Sequence, residues 1–305
     1  MSVILGSISE GLLWGLLAMG VYLTYRILNV ADMTVEGSFS LGAALVSRLI
    51  FEFAMEPWMA TLLSFVIGAG AGLITGLLHT KLKVPALIAS IITMTGLYSI
   101  NLRILGQANL PLLSQNTLVT QMRQLIEDKT LAVIVIGLII VVAIVALLKW
   151  FFDTQIGLAI RATGDNYMMS EANGINTDWS KIIGFMVANG LVGLSGGLLA
   201  QNNGYADVNM GVGAMVIGLA SVVIGEAIGK NITFVKRLLA IVLGSIIYRL
   251  LLLLVLELNF NPNDVRLFSA LILAVALGVP AVRQHGKKVV KNSITSKEAR
   301  KEIDQ

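Results

Sequence analysis

The sequence predicts an all-α polytopic membrane protein with about nine transmembrane helices, or eight or ten if two short apolar segments are counted differently. Only 13% of the 305 residues are charged and 56% are hydrophobic, whereas soluble domains carry about 25% charged residues. The apolar residues also form blocks of roughly 20, which is the length that crosses a bilayer as a helix. We therefore expect residues 1–283 to form a single transmembrane domain, with no sizeable soluble domain.

In the N-terminal half, the predicted spans cover residues 12–30, 57–78, 85–105 and 131–152. A further apolar run at 37–50 is too short for a full crossing, so we expect a half-helix that begins inside the protein. Small residues four apart allow close helix packing where lipid gives no hydrophobic drive. We expect that role for the glycines of the second span, Gly68, Gly70, Gly72 and Gly76.

In the C-terminal half, the predicted spans cover residues 182–199, 238–258 and 267–282. A shorter glycine-rich run lies at 211–228, and polar segments lie at 106–129 and 201–209. Residues 284–305 have mixed charge and few apolar positions, which predicts a basic, loosely ordered tail or a short surface helix.

The segment 157–175, GLAIRATGDNYMMSEANGI, is a polar island between two spans and is longer than a turn requires. Asp165 and Asn166 suit the start of a helix, and Gly174 suits its end. The roughly two turns between them would place Met168, Met169 and Ala172 on one apolar face. Two interpretations remain open at this point: a docking element for a soluble partner, or an amphipathic connector on the membrane surface.

The positions of the basic residues predict the orientation. When the island is placed in the cytoplasm and the spans alternate, most of the 22 lysine and arginine residues fall on the cytoplasmic side. The N-terminus is then outside and the C-terminal tail inside. A basic tail that directly follows a span predicts contact with anionic lipid rather than with nucleic acid.

The residue types argue against several chemistries. The sequence has no cysteine, its two histidines, His79 and His285, suit the surface, and no phosphate-binding G-x-x-x-x-G-K-[ST] motif occurs. We expect no catalytic or metal-binding residue. Acids such as Asp32 and Glu36 map to loops or span ends, which disfavours an ion-coupled carrier. ATP hydrolysis would then occur on another polypeptide.

Two patterns carry a resemblance to a known family. The first lies in the island: Gly157, Arg161, Ala162, Gly164, Asn166, Ala172, Gly174 and Ile175. It resembles the coupling-helix segment of ABC-importer permeases of the branched-chain amino acid and ribose type. The second, NVADMTVEGSFSLGAA at 29–44, resembles another signature of that family and is closest to the subgroup for tryptophan and related amino acids.

The resemblance implies a permease subunit in a bacterial inner membrane that works by alternating access at the interface of two copies, or of one copy and a paralogue. Its expected partners are ABC ATPase subunits, which bind ATP and Mg, and an extracellular substrate-binding protein or lipoprotein. Residues 153–180 would be the segment that couples to the ATPase. The residues expected to do so are Arg161, Gly164, Asp165, Asn166, Tyr167, Met168, Met169, Glu171, Ala172, Asn173 and Gly174.

The sequence offers four polar candidates for the substrate pathway. Ser38, Asn101, Asn189 and Asn202 are polar groups that suit a pathway, although hydrogen bonding between helices is the alternative role. An amino acid, tryptophan or another aromatic one first, is the expected solute, with a nucleoside, purine or sugar as the alternative. An ATP-independent carrier, a passive channel, an intramembrane enzyme and a membrane anchor or assembly scaffold are the alternative classes.

Overall fold

The computed structural model describes residues 2–229, 232–257, 267–275 and 278. The helices are α1 Ser2–Tyr22, α2 Thr34–Phe53, α3 Pro57–Thr80, α4 Ala86–Leu105, α5 Leu118–Arg123, α6 Lys129–Phe152, α7 Gln155–Asp165, α8 Tyr167–Ala172, α9 Thr177–Asn203, α10 Ala214–Ile228 and α11 Phe234–Glu257. Helix α1 continues directly into a π-helical segment, Leu23–Ile27. Two short strands, β1 Asn109–Pro111 and β2 Tyr205–Asp207, form an antiparallel ribbon.

The polytopic all-α prediction is confirmed. Seven helices among the described residues are long and apolar enough to cross a membrane: α1 with its π-helical end, α2, α3, α4, α6, α9 and α11. Helix α10 is apolar but shorter. The predicted last span, 267–282, is helical over 267–275, and most of its remainder lies outside the described residues. The predicted tail, 284–305, also lies outside them.

The predicted half-helix at 37–50 is wrong in length. Helix α2 has 20 residues, which corresponds to roughly 30 Å at 1.5 Å per residue. It starts at Thr34 because the Asp32 carboxylate accepts a hydrogen bond from the Thr34 N–H, at 2.9 Å. Glu36 lies in the first turn, where a negative charge favours the helix N-terminus. Polar residues that read as a loop in the sequence therefore form the start of the helix.

The connections between the long helices gather at two ends of the bundle. At the end we call the island pole, Lys81 after α3 pairs with Asp178 at the start of α9, at 3.2 Å, and Arg26 pairs with Glu226. At the opposite end, the ribbon pole, the β1–β2 ribbon joins the segments after α4 and α9. Helices α1, α2, α3, α4, α6 and α9 thus run in alternating directions, and α11 runs in the same direction as α9 because the shorter α10 lies between them.

Helix α9 lies at the centre and meets its neighbours backbone to backbone. A Cβ atom added at Gly42 of α2 would overlap the carbonyl oxygen of Gly193 in α9. Gly68 and Gly72 of α3 lie in the same way against the carbonyls of Asn189 and Phe185. These contacts allow α2, α3 and α9 to approach more closely than side chains would permit.

The packing role predicted for the glycines of α3 holds for three of the four. Gly76 also packs on α9, with Ile182 as its neighbour, whereas Gly70 has nothing within 4 Å of its added Cβ. The prediction for Gly70 is wrong because Gly70 is two residues from both Gly68 and Gly72, which turns it away from the face they share.

We expect Gly42→Ala to lower the free energy of unfolding by about 1–3 kcal/mol, the usual cost of overpacking. The new methyl group would overlap the Gly193 carbonyl, and a backbone carbonyl cannot rotate aside. Thermal unfolding of the purified protein in detergent measures the effect. Gly70→Ala, at an open position, is the matched control and should leave the melting temperature unchanged or slightly higher. Equal melting temperatures for Gly42→Ala and the wild type would contradict the packing described above.

Candidate functional site

The polar island folds as two short helices, of which the sequence predicted only the second. The Thr154 side chain caps α7 by accepting a hydrogen bond from the Gly157 N–H, at 3.3 Å. The Asn166 side chain caps α8 by accepting one from the Met169 N–H, at 3.0 Å. Asn166 therefore has the predicted capping role, whereas Asp165 is the last residue of α7 and does not cap.

Gly174 ends the island in the predicted way. Its φ of +78° is in the left-handed region that favours glycine. The N–H of Gly174 donates to the Glu171 carbonyl and the N–H of Ile175 to the Ser170 carbonyl, each at 3.0 Å. This pair of bonds is the Schellman arrangement, which satisfies the last carbonyl groups of a helix.

The island is held tightly against the end of α1. Gly164 of α7 lies against the Ile27 carbonyl, with no space for a Cβ atom. The Arg161 guanidinium lies over the rings of Phe152 and Phe234, with its carbon 5.1 and 4.3 Å from the ring centres. Its Nη2 is buried without a hydrogen-bond partner among the described residues. Of the expected coupling residues, Arg161 and Gly164 thus face the bundle of long helices.

The other expected coupling residues lie mostly on the outer surface of the island. The side chains of Met168 and Met169 are 81% and 63% exposed. Glu171, Ala172 and Asn173 are exposed too, whereas Ser170 is buried. The Tyr167 ring lies 4.3 Å from the Lys181 Nζ atom. Helix α8 therefore presents an apolar pair of methionines at the tip of the island pole.

A cavity of about 700 Å³ lies beside the island. Its lining includes Arg26, Arg161 and Arg237, together with Asp165 and Asn29. Arg26 is paired with Glu226, so part of this positive charge is compensated. The cavity gives the island pole a basic inner wall next to the exposed helix α8.

A second set of polar groups is buried between α2, α3 and α9. The Asp32 carboxylate accepts a hydrogen bond from the Asn189 Nδ2, at 2.8 Å, and the Asn189 Oδ1 accepts one from the Ser38 hydroxyl, at 2.8 Å. The Thr34 and Thr75 hydroxyls lie 2.7 Å apart and share a hydrogen bond. The structure thus brings together two of the predicted pathway residues, Ser38 and Asn189, in a connected network.

Asp32 corrects the sequence-based placement of the acids. It is fully buried, although it precedes α2 in the chain and was expected in a loop. Burial raises the pKa of the Asp32 carboxyl above its ordinary value, and the hydrogen bonds from Thr34 and Asn189 oppose that rise. The sequence offered no local signal for this burial, because it depends on the contact with Asn189, which lies 157 residues further along the chain.

The other two predicted pathway residues lie elsewhere. Asn101 of α4 donates from Nδ2 to the Gly37 carbonyl of α2, at 3.2 Å. Asn101 also lines a cavity of about 260 Å³ that Asn202 does not reach. The residues lining this α2–α4 cavity are Glu36, Gly37, Ser40, Met94, Thr95, Tyr98, Asn101, Val208, Asn209 and Val212.

The segment before α10 closes one side of this cavity. The Gly211 N–H donates to the Ser40 hydroxyl, at 2.9 Å, and the Gly213 N–H donates to the Glu36 carboxylate, at 3.0 Å. Residues 208–213, which the sequence placed partly in an outer loop, are therefore folded back against the first turns of α2. Glu36 and Ser40 were absent from the predicted site because Glu36 read as a loop residue and Ser40 as part of a short apolar run.

Comparisons with known proteins agree with this architecture. A family model described as the permease component of branched-chain amino acid transport systems matches residues 3–279. The tyrosine transport system permease protein of Clostridioides difficile is 37% identical over 303 residues, which are 99% of this chain and 100% of that protein. No solved structure matches the chain.

More distant relatives cover less of the chain. The probable branched-chain amino acid transport permease LivH of Methanocaldococcus jannaschii is 28% identical over 205 residues, 64% of each chain. The autoinducer 2 import system permease LsrC of Photorhabdus laumondii is 28% identical over 186 residues, 61% of this chain and 54% of that protein. With its bundle of apolar helices and a family match over nearly its whole length, this multi-pass membrane protein belongs to the ABC-transporter permeases of the branched-chain amino acid and ribose type.

Proposed function

We propose that this chain is the transmembrane subunit of an ATP-driven importer for an amino acid, with tyrosine or tryptophan as the first candidates. The observation that carries the proposal is the position of the island. It packs against the helix bundle on one side and exposes Met168 and Met169 on the other. The tyrosine transport relative supports an aromatic amino acid as substrate. A sugar, nucleoside or purine on the same machinery is the alternative substrate class.

In this proposal, helix α8 inserts into a groove on an ABC ATPase that binds ATP and Mg. An amphipathic helix with exposed methionines suits such a groove because methionine adapts to irregular apolar surfaces. Gly164 against Ile27 would pass a displacement of the island to α1, since no side chain lies between the two backbones to absorb it. Asp178, which lies near both Lys81 and Lys83, would pass it to the end of α3.

A second copy of the chain would complete the pathway. Helix α4 is the least buried of the seven long helices, yet Thr95, Ser99 and Arg103 are exposed along one side of it. Each of the three is four residues from the next, so they share a face of the helix. Polar and charged groups are costly against lipid, which favours a protein partner or a water-filled path on this face. We place the permease interface there.

Docking of the island to a cytoplasmic ATPase, if the proposal holds, implies an orientation in the membrane. The island pole would face the cytoplasm, with the ATPase and anionic lipid, and the N-terminus would lie outside. The ribbon pole would receive an extracellular substrate-binding protein or lipoprotein, for which the exposed Leu113 and Leu125 offer apolar contacts.

An ATP-independent carrier is the second candidate, and the burial of Asp32 is the observation that favours it. Asp32 nevertheless accepts hydrogen bonds from Thr34 and Asn189, which is typical of a structural carboxylate. The two candidates differ in their energy source, so uptake that continues unchanged without ATP would favour the carrier.

We expect Met168→Asp to abolish co-purification of the partner ATPase and ATP-dependent uptake of tyrosine. A carboxylate in place of an apolar anchor would have to be desolvated on docking. Leu113→Asp, a similarly exposed apolar site at the ribbon pole, is the matched control and should retain the ATPase. Full recovery of the ATPase with Met168→Asp would argue against docking through α8.

The orientation can be tested with single cysteines, because the chain has none of its own. In intact cells, a membrane-impermeant maleimide should label Leu125→Cys and leave Met168→Cys unlabelled, since only the ribbon pole would face outward. In inside-out vesicles the order should reverse. Labelling of Met168→Cys in intact cells would show that the orientation is inverted.

The position of the interface predicts a cross-link. Ser99→Cys in native membranes should give covalent dimers with a short bis-maleimide, because α4 of each copy would face the other. Ile139→Cys, at an exposed apolar position of α6, is the control and should stay monomeric. Dimers formed through position 139 and not through position 99 would assign the interface to α6 instead.

A further inference from the structure

The α2–α4 cavity contains a buried hydrogen-bond acceptor that the protein itself leaves unused. Asn101 is only 1% exposed, and its Oδ1 has no hydrogen-bond partner among the described residues. The Nδ2 bond to the Gly37 carbonyl fixes the orientation of the amide, and Oδ1 is the unpaired polar atom of this cavity-lining residue. A buried amide oxygen without a donor is unfavourable, so a ligand that supplies an N–H would relieve that cost.

The charge of the cavity points to the same kind of ligand. Glu36 is the only charged residue among the described residues that line it. The bond from the Gly213 N–H holds the Glu36 carboxylate in place. A cavity with a carboxylate and an amide oxygen suits a cationic donor. An anion would meet unfavourable charge there.

The remaining lining suits an apolar group of limited size. Met94, Tyr98, Val208 and Val212 supply most of the apolar wall. The volume of about 260 Å³ is just below the range of about 300–1,000 Å³ for drug-sized ligands. A ligand that fits these features has one ammonium group and one compact apolar or aromatic group. Tyr98 could also contact the ammonium group through its ring face.

We propose that the α2–α4 cavity is a binding site on the transport path for the ammonium end of the solute, with Asn101 and Glu36 as its acceptors. The inference rests on the proposed function and extends it, because it names the chemical class that this chain itself recognises: small primary ammonium compounds with an apolar side group. The cavity adjoins the exposed polar face of α4, on which Thr95 also lies. Solute leaving the binding protein would pass along that face.

The test compares three probes that differ only in their charged groups. Saturation-transfer NMR with the purified permease in nanodiscs detects weak binding of L-tyrosine, tyramine and 3-(4-hydroxyphenyl)propanoate. We expect L-tyrosine and tyramine to bind and the propanoate, which lacks the ammonium group, to bind at least tenfold more weakly. Binding of the propanoate as tight as that of tyramine would overturn the proposal.

Two kinds of variant separate the site from the fold. Asn101→Leu and Glu36→Gln should each weaken tyramine binding about tenfold, and Val212→Trp should block it by filling the cavity while keeping the Asn101–Gly37 bond. Thr93→Val, on the same helix but outside the cavity, is the control and should bind normally. Unchanged tyramine binding in Val212→Trp, at an unchanged melting temperature, would overturn the proposal.

Uptake measurements distinguish this inference from the proposed function. If the wild-type complex takes up tyrosine only with ATP and Val212→Trp does so with unchanged KM, the site is wrong and the function stands. If the wild-type complex takes up no amino acid while tyramine still binds in the cavity, the function is wrong and the site stands.

Discussion

The contact between glycine and carbonyl groups along α9 is the constraint on which the rest of this structure depends. Lipid removes the hydrophobic drive that would bring helices together in water, so close backbone packing has to hold them instead. Gly42, Gly68 and Gly72 each place a backbone directly against a carbonyl of α9. The positions of α2 and α3 follow from these contacts, and so do the ends of both helices at the island pole.

Close backbones in turn determine which polar groups can meet. Ser38, Thr34 and Thr75 are short side chains that reach a neighbouring helix only when the two helices nearly touch. The bonds from Ser38 to Asn189 and between Thr34 and Thr75 thus depend on the glycine contacts. The cavity between α2 and α4 lies beside the close approach of α4 to Gly37, and Met94 and Tyr98 of α4 contribute to its wall.

The sequence predicted the features that arise from local chemistry or from hydropathy. Span positions came from apolar blocks, and helix α8 from the capping residue Asn166 and the terminal Gly174. Helix α7 was missed although Thr154, which caps it, is a residue type that commonly starts a helix. The first turn of α2 was missed because its polar residues read as a loop. The burial of Asp32 depends on packing against α3 and α9, which no local pattern encodes. The α2–α4 cavity was missed for the same reason, because residues 208–213 reach it only after the chain folds back.

The bond between Asp32 and Asn189 joins positions 157 residues apart in the chain. Each partner also makes other bonds, but without Asn189 the buried carboxylate would lose one of its hydrogen-bond donors, and without Asp32 the Asn189 Nδ2 would keep only the Phe185 carbonyl as acceptor. A substitution at one of these positions therefore changes what is tolerated at the other. Among members of the family, the two positions should therefore covary, so that the aspartate and the asparagine are present or absent together.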